Sequence, residues 1–263
     1  MVGRSFGPKY PVVAFVAGGA LCLVIAGYLF LPQTETYRVN TTTRKYLPGE
    51  NQWEEYVLHR GKVITRNGNI VFAIKDHVRI FVYDLIREEN DLLLGALVHS
   101  RGRIHLVLYN VTAGRFILVK EMTAYRPWNL QLFDADGDGA IEVCLGVYKK
   151  SPLHPVEARR LFLYTFTQGT LRPKWLGSRL AHPFTDFAFT AGEEGPSLFA
   201  IELDKDRRPR LSRYRWEAFG FTKQRDYPGI LPPKAAFTYG YRPGDRQRRL
   251  LLKHGKKILK EVK

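Results

Sequence analysis

The sequence has few of the residues and motifs by which chemistry is usually recognised. It contains two cysteines, Cys22 and Cys144, which gives neither a disulfide framework nor a zinc-ligand spacing. Cys144 is therefore expected to be a small buried apolar residue. No nucleophile-elbow motif and no glycine-rich phosphate loop is present, and the seven histidines are scattered. A catalytic site assembled from distant strands is the one enzymatic possibility that these absences leave open.

Acidic residues are also scarce in comparison with basic ones. The 263 residues include 41 Lys and Arg but only 25 Asp and Glu, which gives a net charge of +16. Such a balance favours anionic partners, namely nucleic acid, lipid headgroups or acidic polymers. Aromatic residues make up 13% of the chain and supply material for a core. The length allows one large all-β domain or two small ones.

An internal repeat occupies the body of the chain. Residues 126–133 align with 182–189 at a shift of 56, and residues 78–98 form an earlier copy. The third strand of each copy ends near a tyrosine, at Tyr109, Tyr164 and Tyr214. Four strands in about 50 residues, repeated along the chain, are typical of β-propeller blades.

The repeat predicts an all-β domain over residues 53–263 with about four or five four-stranded blades. The expected blades span 77–125, 126–181 and 182–227, and strands from 53–76 and 228–263 are expected to share a closing blade. Asn67-Gly68 between two apolar runs predicts a hairpin in the first of these closing segments. Two stacked antiparallel sheets with similar hairpins are the alternative architecture.

Three carboxylates alternate with small residues between the first two strands of one copy. Asp134, Asp136 and Asp138 bring like charges together, and a hard cation bound by oxygens, Ca²⁺, would remove the repulsion. The Ala140 carbonyl and Glu142 would complete the ligand set. An EF-hand is excluded because its twelfth position would be a leucine. A solvated Asp-Gly turn without metal is the alternative interpretation.

A strand, an Asp-rich loop with an acid at its ninth position and a second strand resemble the loops of FG-GAP/VCBS (integrin-type) β-propeller repeats. The motif covers about fifteen residues, and the FG and GAP tripeptides themselves are missing. More broadly, residues 128–226 resemble uncharacterised bacterial membrane-anchored proteins with one or two such repeats. The resemblance implies a propeller and a surface location, and it implies no activity.

An uncharged apolar segment precedes the repeats. Residues 11–32 are long enough to cross a hydrocarbon core of about 30 Å as a helix. A cleaved signal peptide is the alternative, but the apolar run is long for one and no small-x-small site follows it. We therefore expect a short tail at 1–10, a single transmembrane anchor at 11–32 and a polar linker at 33–52.

The orientation of this anchor does not follow from the basic residues on its two sides, which are similar in number. The short leading tail favours a cytoplasmic N-terminus, because long downstream domains translocate largely regardless of charge. Weak oxygen-only calcium loops also suit the millimolar calcium outside cells. The expected location is the cell membrane, single-pass, with the C-terminal domain outside the cytoplasm.

Two basic segments are candidate binding surfaces. A connection expected to be a long loop, with neighbours at the next junction, contains Lys149, Lys150, His154, Arg159, Arg160, Trp175 and Arg179. The C-terminal segment contains a second group, Arg248, Arg249, Lys253, Lys256, Lys257 and Lys260. Solvated charge is the alternative interpretation of each. Nucleic acid is not an expected partner because of the membrane anchor.

These patterns favour a membrane-anchored binding or scaffold module with a structural Ca²⁺ loop and no catalytic activity. The expected partners are the membrane and an anionic envelope polymer, lipid headgroups or another membrane protein. A hydrolase acting on an envelope polymer and a purely structural partner of a membrane protein are the alternatives.

Overall fold

The chain folds into antiparallel β-sheets, and the one short helix among the described residues is a 3₁₀ turn at Thr123–Tyr125. The computed structural model describes residues 38–41, 44–48, 53–65, 67–74, 77–151, 153–167, 169–177, 179–242 and 247–262. The expected anchor at 11–32 lies outside these residues. No helix in the described ranges has the length and apolar character needed to span a membrane.

Five sheets of four strands, here called blades 1 to 5, account for the described strands. Blade 1 contains β2 (Arg44–Pro48), β3 (Trp53–His59), β4 (Lys62–Thr65) and β5 (Ile70–Ala73). Blade 2 contains β6 (Arg79–Glu88), β7 (Asp91–Ser100), β8 (Arg103–Asn110) and β9 (Arg115–Glu121). Blade 3 contains β10 (Asn129–Phe133), β11 (Glu142–Ser151), β12 (His154–Thr167) and β13 (Thr170–Leu176). Blade 4 contains β14 (Phe184–Gly192), β15 (Gly195–Leu203), β16 (Pro209–Glu217) and β17 (Gly220–Asp226). Blade 5 contains β1 (Arg38–Val39), β18 (Ala236–Tyr241), β19 (Arg249–His254) and β20 (Lys257–Val262).

The arrangement is a five-bladed β-propeller, which confirms the predicted fold class. The inner strands β2, β6, β10, β14 and β18 contact their neighbours around the centre. Blades 1 and 5 meet through aromatic rings, because Tyr241 stacks on Trp53 with ring centroids 4.0 Å apart and meets the edge of Tyr46 at 5.3 Å. Burial of such rings between blades stabilises the closed ring of sheets.

The closing blade differs from the expected one. A two-residue N-terminal strand, β1, pairs with β18 through Arg38 opposite Tyr241, and Asn40 N–H donates to the Tyr239 carbonyl at 2.6 Å. The strands within 53–76 do not join this sheet, because they form blade 1 together with β2. The expected linker at 33–52 therefore contains two strands. Its polar composition concealed them, since only Tyr46 and Leu47 of β2 are buried.

The repeat of 56 residues is visible in the packing. Phe133 and Phe189 occupy equivalent positions in β10 and β14, and their rings stack with centroids 5.4 Å apart. Tyr109, Tyr164 and Tyr214 lie on the third strands of blades 2, 3 and 4, as the repeat predicts. Cys144 is a fully buried free thiol, which confirms its expected role as an apolar core residue.

Candidate functional site

The acidic loop of blade 3 gathers its carboxylates as the sequence predicts. Asp134, Asp136 and Asp138 each place one oxygen within 4.8 Å of the others. The loop folds around Asp134, which accepts hydrogen bonds from Gly137 N at 2.7 Å and Gly139 N at 3.1 Å. Both glycines have positive φ, +82° and +90°, a conformation that costs glycine little.

A lysine from the fourth strand of the blade lies among these acids. Lys174 Nζ is 2.5 Å from Asp136 Oδ2, 3.0 Å from Asp138 Oδ2 and 2.8 Å from Glu142 Oε1. Burial acts to lower the pKa of Lys174, but its hydrogen bonds to the three carboxylates outweigh burial and raise that pKa above its usual value. The chain thus carries its own cation at the position where the sequence suggested a metal ion.

Glu142 is the most buried acid of the loop. Its side chain is fully buried and accepts from Ala135 N at 2.8 Å through one oxygen and from Lys174 through the other. Burial raises the pKa of Glu142, and the hydrogen bonds from Lys174 and Ala135 offset only part of that effect. The three aspartates suit a hard cation in type and spacing, but Lys174 already pairs with Asp136, Asp138 and Glu142. Ala140 contributes its N–H to Asp138 Oδ1 at 2.8 Å.

A central cavity lies at the opposite end of the inner strands. It encloses about 280 Å³, and it is lined mainly by residues in or just before the inner strands of the five blades, together with Asn40 and Thr41 after β1 and Lys253 of β19. The lining includes Asn40, Lys45, Phe81, Asp84, Trp128, Leu130, Gln131, Asp186, Phe237, Tyr239 and Lys253. Sequence reasoning missed this site, although Asp84, Gln131 and Asp186 are polar residues within strands of the repeat.

Both acids of this cavity accept hydrogen bonds from the backbone. Asp84 Oδ2 accepts from Leu132 N at 3.1 Å. Asp186 accepts from Phe187 N at 3.0 Å and Phe237 N at 2.8 Å, one to each carboxylate oxygen. Burial nevertheless raises the pKa of Asp186 to about 6, since desolvation outweighs these bonds.

The two lysines of the cavity are not bound in this way. Lys45 Nζ lies 5.5 Å from the centroid of the Tyr83 ring, and burial lowers the pKa of Lys45. Lys253 is partly buried on β19 and interacts electrostatically with both Lys45 and Asp186. Within the described part of the chain, neither ammonium group has a hydrogen bond or an ion pair within 4 Å.

A polar network closes the floor of the cavity. Gln131 Nε2 donates to the Phe187 carbonyl at 3.0 Å, and Gln131 Oε1 accepts from Phe189 N at 3.2 Å and Tyr239 Oη at 2.9 Å. On the far side, the Arg248 guanidinium lies 3.7 Å from the Tyr239 ring centroid and 4.0 Å from Asp84 Oδ1. The cavity is consequently blind, with one open mouth.

The segment expected to be a long basic loop is a hairpin. Lys149 and Lys150 belong to β11, and His154, Arg159 and Arg160 belong to β12, so the prediction of a long loop is wrong. The sequence did not predict these parts of β11 and β12, because they are rich in polar and basic residues and lack the apolar alternation of the blade core. The five residues do not form one surface.

Arg160 in particular is a structural residue. It is 1% exposed and donates to three backbone carbonyl groups, those of Lys149, His154 and Val156, at 2.7 to 3.1 Å. Arg159, in contrast, covers the Trp128 ring at 4.5 Å and lines a groove beside the cavity mouth together with Arg207 and Lys234.

The two neighbours expected at the next junction also separate. Trp175 packs edge-on against Phe221 at 5.1 Å and Trp216 at 6.5 Å, as part of the core between blades 3 and 4. Arg179 is exposed and interacts electrostatically with Arg160.

The predicted C-terminal patch divides into three parts. Arg248 and Lys253 lie at the centre of the propeller, below and beside the cavity. Arg249 pairs with Glu261 at 2.7 Å. Lys256, Lys257 and Lys260 are exposed, and Lys260 Nζ lies 5.8 Å from the Tyr227 ring centroid.

The propeller topology sorts the remaining basic residues by position. In blades 1 to 4, the turn between the second and third strands lies at the end where the inner strand begins, which is the end with the cavity mouth. In blade 5, where β1 is added beside β18, the turn at this end is the one between β19 and β20. In every blade this turn or the strand ends beside it carry basic side chains, and we call this face the basic end. Its members are Arg60, Lys62, Arg101, Arg103, Lys149, Lys150, Lys205, Arg207, Arg208, Lys256 and Lys257.

Few of these cations are neutralised locally. Arg103 pairs with Glu121 at 3.0 Å, and Arg208 pairs with Asp204 and Asp206. The other members make no ion pair with the residues that the structure describes.

No protein-family model matches the chain, and no curated protein matches it.

Proposed function

We propose that the protein is a membrane-anchored binding module whose propeller lies outside the cytoplasm and binds an anionic envelope polymer at its basic end. The main support is that basic residues recur in all five blades at or beside the turn nearest the mouth of the central cavity. Basic residues outnumber acidic ones at the turn or the adjoining strand ends of each blade, and together they create a positive potential over this face, which attracts anionic ligands. The concave centre suits a projecting acidic group of a polymer better than a flat lipid surface.

Binding is favoured over hydrolysis by the state of the two carboxylates in the cavity. Asp84 and Asp186 are both held by backbone N–H groups, and no histidine is among the described residues that line the cavity. Asp186, whose pKa is raised to about 6, can exchange a proton near neutral pH and is the one candidate acid that the described lining supplies. Binding is nevertheless the proposal, because both oxygens of Asp186 already accept backbone N–H groups.

The test measures binding of the full-length chain, in nonionic detergent, to immobilised polygalacturonate, with dextran as the uncharged polymer. The combined variant Arg101→Gln, Lys256→Gln and Lys257→Gln should bind polygalacturonate about ten-fold more weakly, a loss of roughly 1.4 kcal/mol. Binding of the wild type should weaken with salt, because exposed charges are screened over about 8 Å at physiological ionic strength.

Two exposed cations at the other end of the propeller provide the control. Arg115 is the first residue of the outer strand β9, and Arg172 is the third residue of the outer strand β13. The double variant Arg115→Gln and Arg172→Gln therefore also lowers the net charge but leaves the basic end intact. It should bind like the wild type. Equal weakening by both sets of variants, salt-independent binding, or a preference for anionic lipid vesicles over polygalacturonate would overturn the proposed ligand.

The anchor is a separate part of the proposal, supported by the apolar run at 11–32. With a cytoplasmic N-terminus, protease added to intact cells should digest the propeller. Digestion only after cell lysis would reverse the orientation.

We further propose that calcium stabilises the acidic loop in competition with Lys174. The support is the clustering of Asp134, Asp136 and Asp138 oxygens within 4.8 Å, because these three side chains supply the ligand type that Ca²⁺ prefers. Such an ion would be structural and would hold the loop in place.

A further inference from the structure

The central cavity combines a small volume with two lysines that have no hydrogen bond or ion pair among the described residues. At about 280 Å³ it is close to the lower limit of about 300 Å³ for small-molecule pockets. Its wall is largely apolar, with Phe81, Trp128 and Phe237 among the lining residues. Its floor is saturated, because the hydrogen-bonding groups of Gln131 are occupied by Phe187, Phe189 and Tyr239.

The charges in and below the cavity do not balance. Lys45, Lys253 and Arg248 are cationic, and only Asp84 and Asp186 oppose them. Arg248 lies nearest Asp84, at 4.0 Å. Lys45 interacts electrostatically with Asp84, and Lys253 with Asp186, but neither lysine has a hydrogen bond or an ion pair among the described residues. Partly buried ammonium groups without hydrogen-bond acceptors are costly, and a ligand that accepts from them removes that cost.

We propose that the cavity binds a single carboxylate group, with Lys45 and Lys253 as its hydrogen-bond donors and Trp128 as an apolar wall for the body of the ligand. This inference deepens the proposed function and rests on it for the biological source of the carboxylate. That source is either a free small organic acid or an acidic residue that projects from a polymer bound at the basic end.

A monoanion fits better than a dianion. Three cations against two carboxylates leave one uncompensated positive charge when every group is ionised. A carboxylate neutralises it, whereas sulfate or a phosphate dianion would leave a net negative charge in a largely apolar cavity. The apolar lining also favours an acid with a hydrocarbon or ring body over an inorganic ion.

Asp186 should make the binding dependent on pH. Its pKa is raised to about 6 by burial, so it loses its negative charge as the pH falls through that value. The charged groups that line the cavity or the adjoining groove with it are Lys45, Asp84, Arg159, Lys253, Arg207 and Lys234. Affinity for an anion should therefore rise as the pH falls from 7 to 5.5, and Asp186→Asn should raise affinity at pH 7 and flatten the profile.

The test is calorimetric titration of the full-length chain with benzoate at constant ionic strength. Lys45→Met and Lys253→Met should each weaken benzoate binding about ten-fold, since a hydrogen bond to a charged group contributes roughly 1.5–3 kcal/mol. Arg115→Gln, which removes one exposed positive charge at the other end of the propeller, should leave binding within about two-fold, because an exposed charge contributes little. Melting temperatures establish that each variant is folded.

Additional ligands distinguish a small organic acid from a polymer residue as the source of the carboxylate. They also distinguish the cavity site from polymer binding at the basic end. Competition of an oligogalacturonate with benzoate would identify a polymer residue as the ligand, and the lack of competition would identify a small acid. The combined variant that neutralises Arg101, Lys256 and Lys257 should still bind benzoate but should lose binding to polygalacturonate. This result would show that the cavity and the basic end bind their ligands separately. Benzoate binding without polygalacturonate binding in the wild type would overturn only the proposed polymer.

Three results would overturn the carboxylate site itself. They are the absence of benzoate binding to the wild type, unchanged affinity in folded Lys45→Met and Lys253→Met variants, and tighter binding of sulfate than of benzoate.

Discussion

The two ends of the propeller differ in charge and in how that charge is stabilised. At the basic end the turns are cationic and mostly unpaired. At the opposite end, which we call the acidic end, the turns between the first and second strands of blades 2, 3 and 4 carry acids, among them Glu88, Glu89, Asp134, Asp136, Asp138, Glu193 and Glu194. Three of these acids, Asp136, Asp138 and Glu194, have a cation within ion-pair distance.

The pairing at the acidic end comes from later strands of the same blade. In blade 3, Lys174 of β13 reaches Asp136 and Asp138. In blade 4, Arg213 and Arg215 of β16 reach Glu194 at 3.1 Å and 2.8 Å. The acidic ends of blades 3 and 4 are thus compensated in part within the chain, while most members of the basic end make no ion pair with the described residues. A face whose charges are mostly uncompensated is the better candidate for a binding surface.

Removing one lysine at each end should give the largest contrast. Lys174→Met leaves the buried Glu142 without its cation, so the free energy of unfolding in urea should fall by about 3 kcal/mol. Lys45→Met removes an ammonium group that has no hydrogen bond or ion pair among the described residues and whose pKa is lowered by burial, so the variant should be at least as stable as the wild type.

Equal losses in the two variants would contradict this comparison. It would mean either that Lys45 has a structural partner in the folded chain or that Lys174 is replaceable by solvent. The measurement uses full-length protein, with Lys256→Met as a control for loss of one exposed charge.

Calcium should act only at the acidic end. A bound ion raises stability by about 2.7 kcal/mol when free calcium is 100 times its dissociation constant. Chelation should lower the melting temperature of the wild type, and Asp136→Ala should abolish the response. Lys174→Met should enlarge the response, because the competing cation is gone.

A wild-type melting temperature that is indifferent to calcium and to chelator would remove calcium from the proposal. Lys174 would then be the sole counter-ion of the loop. An unchanged calcium response in Asp136→Ala would place the ion elsewhere.

The sequence predicted the elements that depend on local pattern. The strands of blades 2, 3 and 4 follow from the repeat at a shift of 56, and the hairpin at Asn67-Gly68 follows from its turn residues. Local pattern also brought Asp134, Asp136 and Asp138 together correctly. The short strands β1 and β2 were not predicted, because two to five residues within a polar segment show almost no alternation of apolar and polar residues.

The sites escaped because they are made by distant residues. Lys174 lies 32 residues beyond Glu142 and reaches it only when the fourth strand of the blade folds back. The cavity needs one polar residue from each of several inner strands, such as Lys45, Asp84 and Asp186. The basic residues looked evenly spread along the chain, and only the alternation of strand direction sorts them to one end.

The smallest expected effect distinguishes two acids at equivalent positions of the acidic end. The repeat places Asp138 of blade 3 opposite Glu194 of blade 4, and their side chains are 53% and 66% exposed. Each pairs with basic residues near the surface, where ion pairs contribute roughly 0.2–1 kcal/mol. In the presence of chelator, Asp138→Asn and Glu194→Gln should therefore lower the free energy of unfolding by similar amounts of less than about 1 kcal/mol.

With calcium the losses of stability in the two variants should differ, because Asp138 lies within the aspartate cluster and Glu194 has no neighbouring carboxylates of that kind among the described residues. A loss in Asp138→Asn that is the same with and without calcium would show that Asp138 serves only as a partner of Lys174.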